Sequence, residues 1–400
     1  MRRVAVTGLG VVSALGNSTS EFWDAVAAGT SGIRPLQADR CQELKFPNGA
    51  EAISFRAEEH FEPKRADMLD RFAQFAVVAA REAVASAHIE WTAEGRESTL
   101  VALGSGIGGQ GSQDQGFWDV YKLSKNRVHP FTIPRTMANA GASHVSMEFG
   151  LTGASFTTST ACASAAHAIG LAFQMVRSGQ CEMALTGGSE APFSFGILKA
   201  WEAMRVVSPD TCRPFCKDRN GMILGEGAAV LVLEPLERAV ARGAKVFAEI
   251  VGFGMTSDAY HLTQPSVEGP ARAMSNALRD AGIEPCAVGY INAHGTGTDV
   301  NDITEARAIN SVFRSPVAVS STKSMHGHAL GAGAAMEALA VIFALDTGVL
   351  PPTANFSLLD PQIQLDVIAN HSRTSQVEYA LSNSFAFGGM NAVLAFRAAR

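Results

Sequence analysis

The order of strand and helix signals in the first half of the chain returns in the second half, and few architectures satisfy such a repeat. Val4–Thr7 opens the chain as a short apolar strand, and Val246–Val251 opens the second part in the same way. Leu100–Leu103 runs into the glycine-rich "GSGIGGQG", and Tyr290–Ala293 runs into "HGTGT". Ser155–Ser159 leads to a helix of small residues that starts near Cys162 and ends at Ser178, before Gly179. Val317–Ser321 leads to a similar helix, Gly331–Leu345, which Gly348 ends. "LGEGAAVLVLE" (224–234) has a counterpart in "FGGMNAVLAFR" (387–397). Further helices are expected at Glu21–Ala28, capped by Ser20, and at Met68–Ala87, where Leu69, Phe72, Phe75, Ala76, Ala79 and Ala80 keep helical spacing. The alternation predicts an α/β fold with buried sheets. The repeat predicts two similar halves, residues 1–240 and 246–400, joined near 236–246.

Composition narrows the function classes. With 400 residues, 47% of them hydrophobic, the chain can bury a large core. A net charge of −6 gives no support to nucleic-acid binding. No run of apolar residues reads as a membrane span, and Met1–Val6 reads as a first strand rather than a signal peptide. Six cysteines in a chain this long suit free thiols in a reducing cytoplasm. Cys212 and Cys216 form a C-x3-C pair that no second pair or nearby histidine completes into a zinc site.

Three polar stations interrupt the apolar pattern, each at the C-terminal end of a strand. Cys162 stands where a strand becomes a helix; unpaired N–H groups there favour thiolate and can hold an oxyanion. His167, five residues on, is turned roughly 140° away along the helix and reads as structural. His294 opens the stretch "NAHGTGTDVND" (292–302), with Thr296 and Thr298 as hydroxyl donors and Asp302 near the next helix. Lys323 lies in "STKSMHGHALGA" (321–332) with His326 and His328, and Glu337 on the following helix is its natural counter-charge. In a duplicated fold the cysteine, two histidines and the lysine converge on one site. No carboxylate stands out as base partner of the cysteine, so a cysteine-protease triad fits poorly.

Together these stretches identify a resemblance. "VTGLGVVSALGN", "GSGIGG", "STACASAAHAIG", "GFGMTSDAYH", "NAHGTGT", "SSTKSMHGH" and "SNSFAFGG" follow one another as in the β-ketoacyl-[acyl carrier protein] synthases, which the chain resembles over essentially its whole length. "LKAWEAMRVVSPDTCRPF", "QPSVEGP" and "STKSMHGH" look most like the nodulation protein E branch and specialised polyketide ketosynthases. The resemblance implies a thiolase-like duplicated α/β/α/β/α fold and a decarboxylative Claisen condensation. Cys162 would accept an acyl chain from an acyl carrier protein. His294 and His328 would stabilise the enolate from malonyl-carrier protein, and Lys323, partnered by Glu337, would orient the His328 region. The backbone N–H groups of Cys162 and Phe387 would form the oxyanion hole, with Phe385 and Ala386 in its mobile loop. Thr296 and Thr298 would hold the pantetheine arm, Ile107 would gate the acyl pocket, and Asp302 would support the site. No metal and no cofactor beyond the carrier's phosphopantetheine is implied. Lys64, Arg65 and Arg71 match basic residues that meet the carrier, although Asp67 and Met68 interrupt that patch. A cytoplasmic homodimer is implied, or the active half of a heterodimer with a chain-length-factor-like relative.

Three residues depart from the family pattern. Ala386 stands where glycine is usual, and Met390 and His326 stand where threonine is usual. A thiolase would need a second cysteine near the C-terminal glycine motif, and "SFAFGG" has none. A chain-length factor would lack Cys162.

Overall fold

In the computed structural model, which describes residues 1–399, the predicted repeat is a topological one. The first half supplies β1 (Val4–Ser13), β2 (Thr99–Gly104), β3 (Ser155–Thr158), β4 (Met183–Glu190) and β5 (Gly227–Pro235). The second supplies β6 (Ala248–Ser257), β7 (Val288–Asn292), β8 (Ala318–Ser320), β9 (Tyr379–Ala386) and β10 (Met390–Ala398). Reading outward from the centre, the sheet runs β1-β5-β4-β2-β3 on one side and β6-β10-β9-β7-β8 on the other, with Asp366–Val367 beyond β8. Both sides place two antiparallel pairings next to the centre and two parallel pairings outside them. The halves meet where Val4–Val6 pairs antiparallel with Ala248–Ile250.

Helices make three layers around these strands. α1 (Arg71–Ser86) and α2 (Ala140–Phe149) cover the outer face of the first half, and α4 (Glu268–Ala281) and α5 (Asp299–Val312) cover that of the second. Between the halves, α3 (Ser164–Ser178) packs on α6 (Leu330–Thr347). Layers on both faces leave β1, β4 and β5 buried along their whole length, so these strands are mostly apolar or small residues with no polar-out alternation. α6 has the length and composition of a membrane span, contrary to the sequence reading, but it lies almost wholly buried between the sheet halves.

Glycine explains why β1 runs past its predicted end at Thr7. A Cβ on Gly8 would lie 2.2 Å from the Ala83 carbonyl oxygen of α1, and one on Gly10 would lie 2.0 Å from that of Ala79. Gly252 and Gly254 of β6 face the carbonyls of Ala277 and Ala273 in α4 in the same way, at 2.3 and 2.1 Å. The glycines are therefore packing devices, used twice, that let an outer helix lie against its strand. Side-chain caps moved other boundaries. Ser18, not Ser20, caps the first helix, which spans Thr19–Ala28, and Asp70 caps α1. β4 carries through "TGGSE" to Glu190, and Gln110–Phe117 is a helix after "GSGIGG".

Candidate active site

The site lies at the C-terminal ends of β3, β7 and β8, where the parallel strands of both halves point. After β3 the chain makes a tight turn, Ala161–Ala163, before α3. Ala161 holds φ 49°, a left-handed conformation that costs a non-glycine residue energy. Ser164 braces the turn, its Oγ accepting from Thr160 N–H at 2.9 Å and donating to the Ala161 carbonyl at 2.7 Å. Cys162 projects from this turn with Sγ 3.1 Å from His328 Nε2. A second strained turn beside the site is that of Leu330, φ 45°, just after His328.

The helix terminus does not give Cys162 the lowered pKa expected from sequence. Burial pushes the thiol up to about 11; the positive charge of Lys323 opposes this, and Glu337 and Glu190 reinforce it. Desolvation of the thiolate outweighs the Lys323 charge and the backbone hydrogen bond that favour it. The resting nucleophile is therefore a thiol that shares its proton with His328 Nε2. Both histidines are neutral at physiological pH, since burial and then Lys323 hold their pKa values well below the ordinary one. Alkylation of Cys162 by iodoacetamide is accordingly expected to keep accelerating with pH beyond about 8.5, where an ordinary thiol levels off. A rate that plateaus near neutrality in a pH series read by mass spectrometry would contradict this.

Lys323 reaches His328 through its charge, as expected, but the histidine it touches is His294. The lysine opens a short helix after β8, and its Nζ donates to Glu337 and approaches His294 Nδ1 at 3.4 Å. Lys323 and Glu337 are each 1% exposed. Burial pushes the Glu337 carboxyl up, and Lys323 pulls it back. A donor at Nδ1 leaves the proton of His294 on Nε2, so that nitrogen is a hydrogen-bond donor. The His294 and His328 rings stand edge-on, centroids 5.5 Å apart. Ligating atoms of Cys162, His294 and His328 lie within 4.8 Å of one another, a spacing a metal could use. The tautomer imposed by Lys323 argues for a donor instead of a ligand at His294.

These groups line a cavity of about 440 Å³. Thr296 and Thr298 line it too, their hydroxyls 2.8 Å apart, as do Phe385, Ala386 and Phe387. Ile107 does not; it is 47% exposed on the outer surface. Ala386 ends β9 paired with Met390, outside the left-handed region, so its Cβ is unstrained in this conformation. Asp302 sits in the first turn of α5, where it accepts from Phe215 N–H at 2.8 Å and Gly297 N–H at 3.2 Å. His326 is buried away from the cavity; Nδ1 donates to the Gly327 carbonyl, Thr322 Oγ1 lies 3.0 Å from Nε2, and burial lowers its pKa to about 3. His167 bonds Thr160 and the Ala163 carbonyl, a structural role as expected. Arg65 is paired with Glu148, and Arg71 with buried Glu226 at 2.7 Å, so both guanidinium groups already have partners within the chain.

Two carboxylates escaped the sequence reading. Glu305 accepts from the N–H groups of His294 and Gly295, at 2.8 and 2.7 Å, and from Asn383 at 3.2 Å, fixing the His294 loop to β9. Glu190, at the end of β4, accepts from backbone N–H groups of two turns. Burial pushes both up to about 7. An acidic residue ending a strand of small residues, "TGGSE", was the available signal for Glu190.

Comparison with known proteins agrees with this geometry. The beta-ketoacyl synthase N-terminal domain matches residues 1–239, and the corresponding C-terminal domain matches residues 247–357. Nodulation protein E of Rhizobium sp. (strain N33) is 45% identical over 407 residues, covering 99% of both chains. 3-Oxoacyl-[acyl-carrier-protein] synthase 2 of Staphylococcus aureus (strain COL) is 39% identical over 406 residues, covering 99% of this chain and 98% of the relative. The solved structure of the ishigamide ketosynthase/chain length factor superposes with a TM-score of 0.95 at 35% identity, covering 100% of both chains. A cysteine and two histidines brought together by a duplicated thiolase-like fold, and matches that span both halves, make this chain a member of the β-ketoacyl synthase family.

Proposed function

We propose that the cavity elongates an acyl chain by two carbons, condensing an acyl thioester on Cys162 with malonyl-[acyl carrier protein]. The convergence of Cys162, His294 and His328 within 4.8 Å is the observation that carries this reading. In the first half-reaction Sγ attacks the carrier-bound thioester carbonyl while His328 Nε2 takes the thiol proton. The carbon–sulfur bond to pantetheine breaks, and the proton passes to the departing thiol. The N–H groups of Cys162 and Phe387 supply the oxyanion hole. In the second, the malonyl group loses carbon dioxide, and His294 Nε2–H faces the enolate oxygen. Among the described residues no protein group bonds His328 Nδ1, so no single tautomer is imposed on that ring, and its Nε2–H form supplies the second donor. The enolate carbon attacks the Cys162 thioester, the bond to Sγ breaks, and the thiolate takes one proton from solvent. Carbon dioxide and a 3-oxoacyl thioester leave.

Thr296 and Thr298 are proposed to hold the pantetheine arm, and the reading asks for no metal or other cofactor. All six cysteines are free, which suits a reducing cytoplasm. A homodimer is proposed through the face around β3, an edge strand. Phe117, Tyr121, Phe131, Ile133 and Met147, each at least 45% exposed, come from the segments preceding it. That contact would also cover Ile107, restoring its proposed role at the acyl gate. A heterodimer with a chain-length-factor-like relative is the second reading, supported by the solved ketosynthase/chain length factor. Native mass of the purified chain separates the two: a stable dimer of this chain alone favours the first.

Ala386 is proposed to alter gating. Opening a loop over Phe387 needs dihedral changes that glycine permits and alanine resists by roughly 1–2 kcal/mol in left-handed states. Ala386→Gly is therefore expected to broaden or shift the chain lengths loaded onto Cys162 from a ladder of acyl-carrier substrates. An unchanged profile and rate would show the substitution to be neutral. The function itself is tested by intact mass: after incubation with an acyl-carrier donor, the protein should gain the mass of one acyl group on Cys162. Persistent absence of that adduct with every donor length tried would contradict it.

A further inference from the structure

Glu190 is 1% exposed and takes part in no step of the condensation. Its partners are all neutral donors. Oε2 accepts from Gly106 N–H at 2.6 Å and Gly331 N–H at 3.0 Å, and Oε1 from Ser105 Oγ at 3.2 Å and Ile107 N–H at 3.4 Å. The carboxylate thereby joins two turns from different halves of the fold. One, 105–108, follows β2. The other follows His328, contains Leu330 at φ 45°, and opens α6. The space for the carboxylate is built: a Cβ on Gly106 would lie 2.8 Å from Oε2, and one on Gly331 would lie 2.5 Å from it.

We propose that Glu190 is a positioning residue for acyl transfer, clamping the 105–108 turn to the turn behind His328 and so setting His328 Nε2 against Cys162 Sγ. Ionised, it accepts from all four donors. Protonated, one oxygen carries a hydrogen that faces other donors, and the clamp loosens. Burial drives its pKa up to about 7 against those hydrogen bonds, so the change falls near neutrality. The titratable and charged groups around it are Cys162, which feels its charge, the Lys323–Glu337 pair, which acts on the same sulfur, and neutral His328.

The inference rests on the condensing-enzyme reading. Its test is single-turnover transfer from an acyl-carrier protein to Cys162, followed by intact mass across the neutral pH range. Loading by the unmodified protein is expected to rise with pH through one ionisation near neutrality. Glu190→Gln should lack that ionisation and load at least about tenfold more slowly, with KM for the carrier unchanged. Ser105→Ala removes one donor that favours the carboxylate, so the same ionisation should move to higher pH. A serine with a merely structural role would leave it in place, and this variant decides the matter if Glu190→Gln does not fold. Glu305, the other carboxyl near 7, lies under His294 and is untouched by either change. A normal rate and profile in folded Glu190→Gln, or an unmoved ionisation in Ser105→Ala, would overturn the clamp. No acyl-Cys162 in the unmodified protein would instead overturn the condensing-enzyme reading.

Discussion

Replacing Cys162 with alanine is expected to abolish acyl capture and with it all condensation. No other thiol has the required surroundings. Cys181, Cys212 and Cys216 are buried, and Cys212 is pushed up to about 12 by burial. Cys286 is exposed on the surface, and neither it nor partly buried Cys41 lines the cavity. Only Cys162 combines a histidine nitrogen at 3.1 Å with a strained turn that aims Sγ into the cavity. Alanine removes one heavy atom from a site with open space beside it, so folding should survive and circular dichroism should be unchanged. Each of the other five cysteines should tolerate replacement by serine or alanine with its acyl adduct intact. Condensation at the normal rate in Cys162→Ala would remove the nucleophile from the account.

His294→Ala and His328→Ala are each expected to cost roughly 10²-fold or more in condensation. The geometry separates their effects on the first half-reaction. His328 touches Sγ, so its loss should slow acyl loading without abolishing it. His294 is held by Lys323 on the side of its ring away from the cavity, with Glu305 under its backbone, so its loss should leave loading nearly intact. Carbon dioxide release from malonyl-carrier protein should fall in both. Rapid quench of loading and release, measured separately, checks the partition. Normal condensation in both variants would mean that the paired histidines are misassigned.

The residues that carry the chemistry were legible because they break an apolar pattern at strand ends. Cys162, His294, Lys323 and His328 each stand at such a break, and topology brings them together as expected. What sequence could not show was environment. The helix terminus suggested a low thiol pKa, but burial wins and raises it, and burial depends on neighbours from the other half. Lys323 precedes His328 by only a few residues, yet its Nζ approaches the far more distant His294, since that contact is set by the pairing of β7 with β8. His326 stood out only as a departure from the usual threonine, and its environment, a buried ring bonded to the Gly327 carbonyl and Thr322, was not legible. Glu190 and Glu305 were missed because their partners are backbone N–H groups, which no residue pattern spells out. Gly8 was read as a strand end because its reason, the α1 carbonyl across from it, lies far along the chain.

The central claim is that this cavity makes a carbon–carbon bond, and the mass of the carrier protein after reaction tests it most directly. The unmodified protein, an acyl-carrier protein and malonyl-carrier protein are incubated together, and the carriers are resolved by intact mass. A new carrier species should appear, bearing a 3-oxoacyl chain two carbons longer than the donor, with one carbon dioxide released for each. Acyl-enzyme and malonyl-carrier that persist side by side with no such species, in a protein whose Cys162 is fully loaded, would contradict the account.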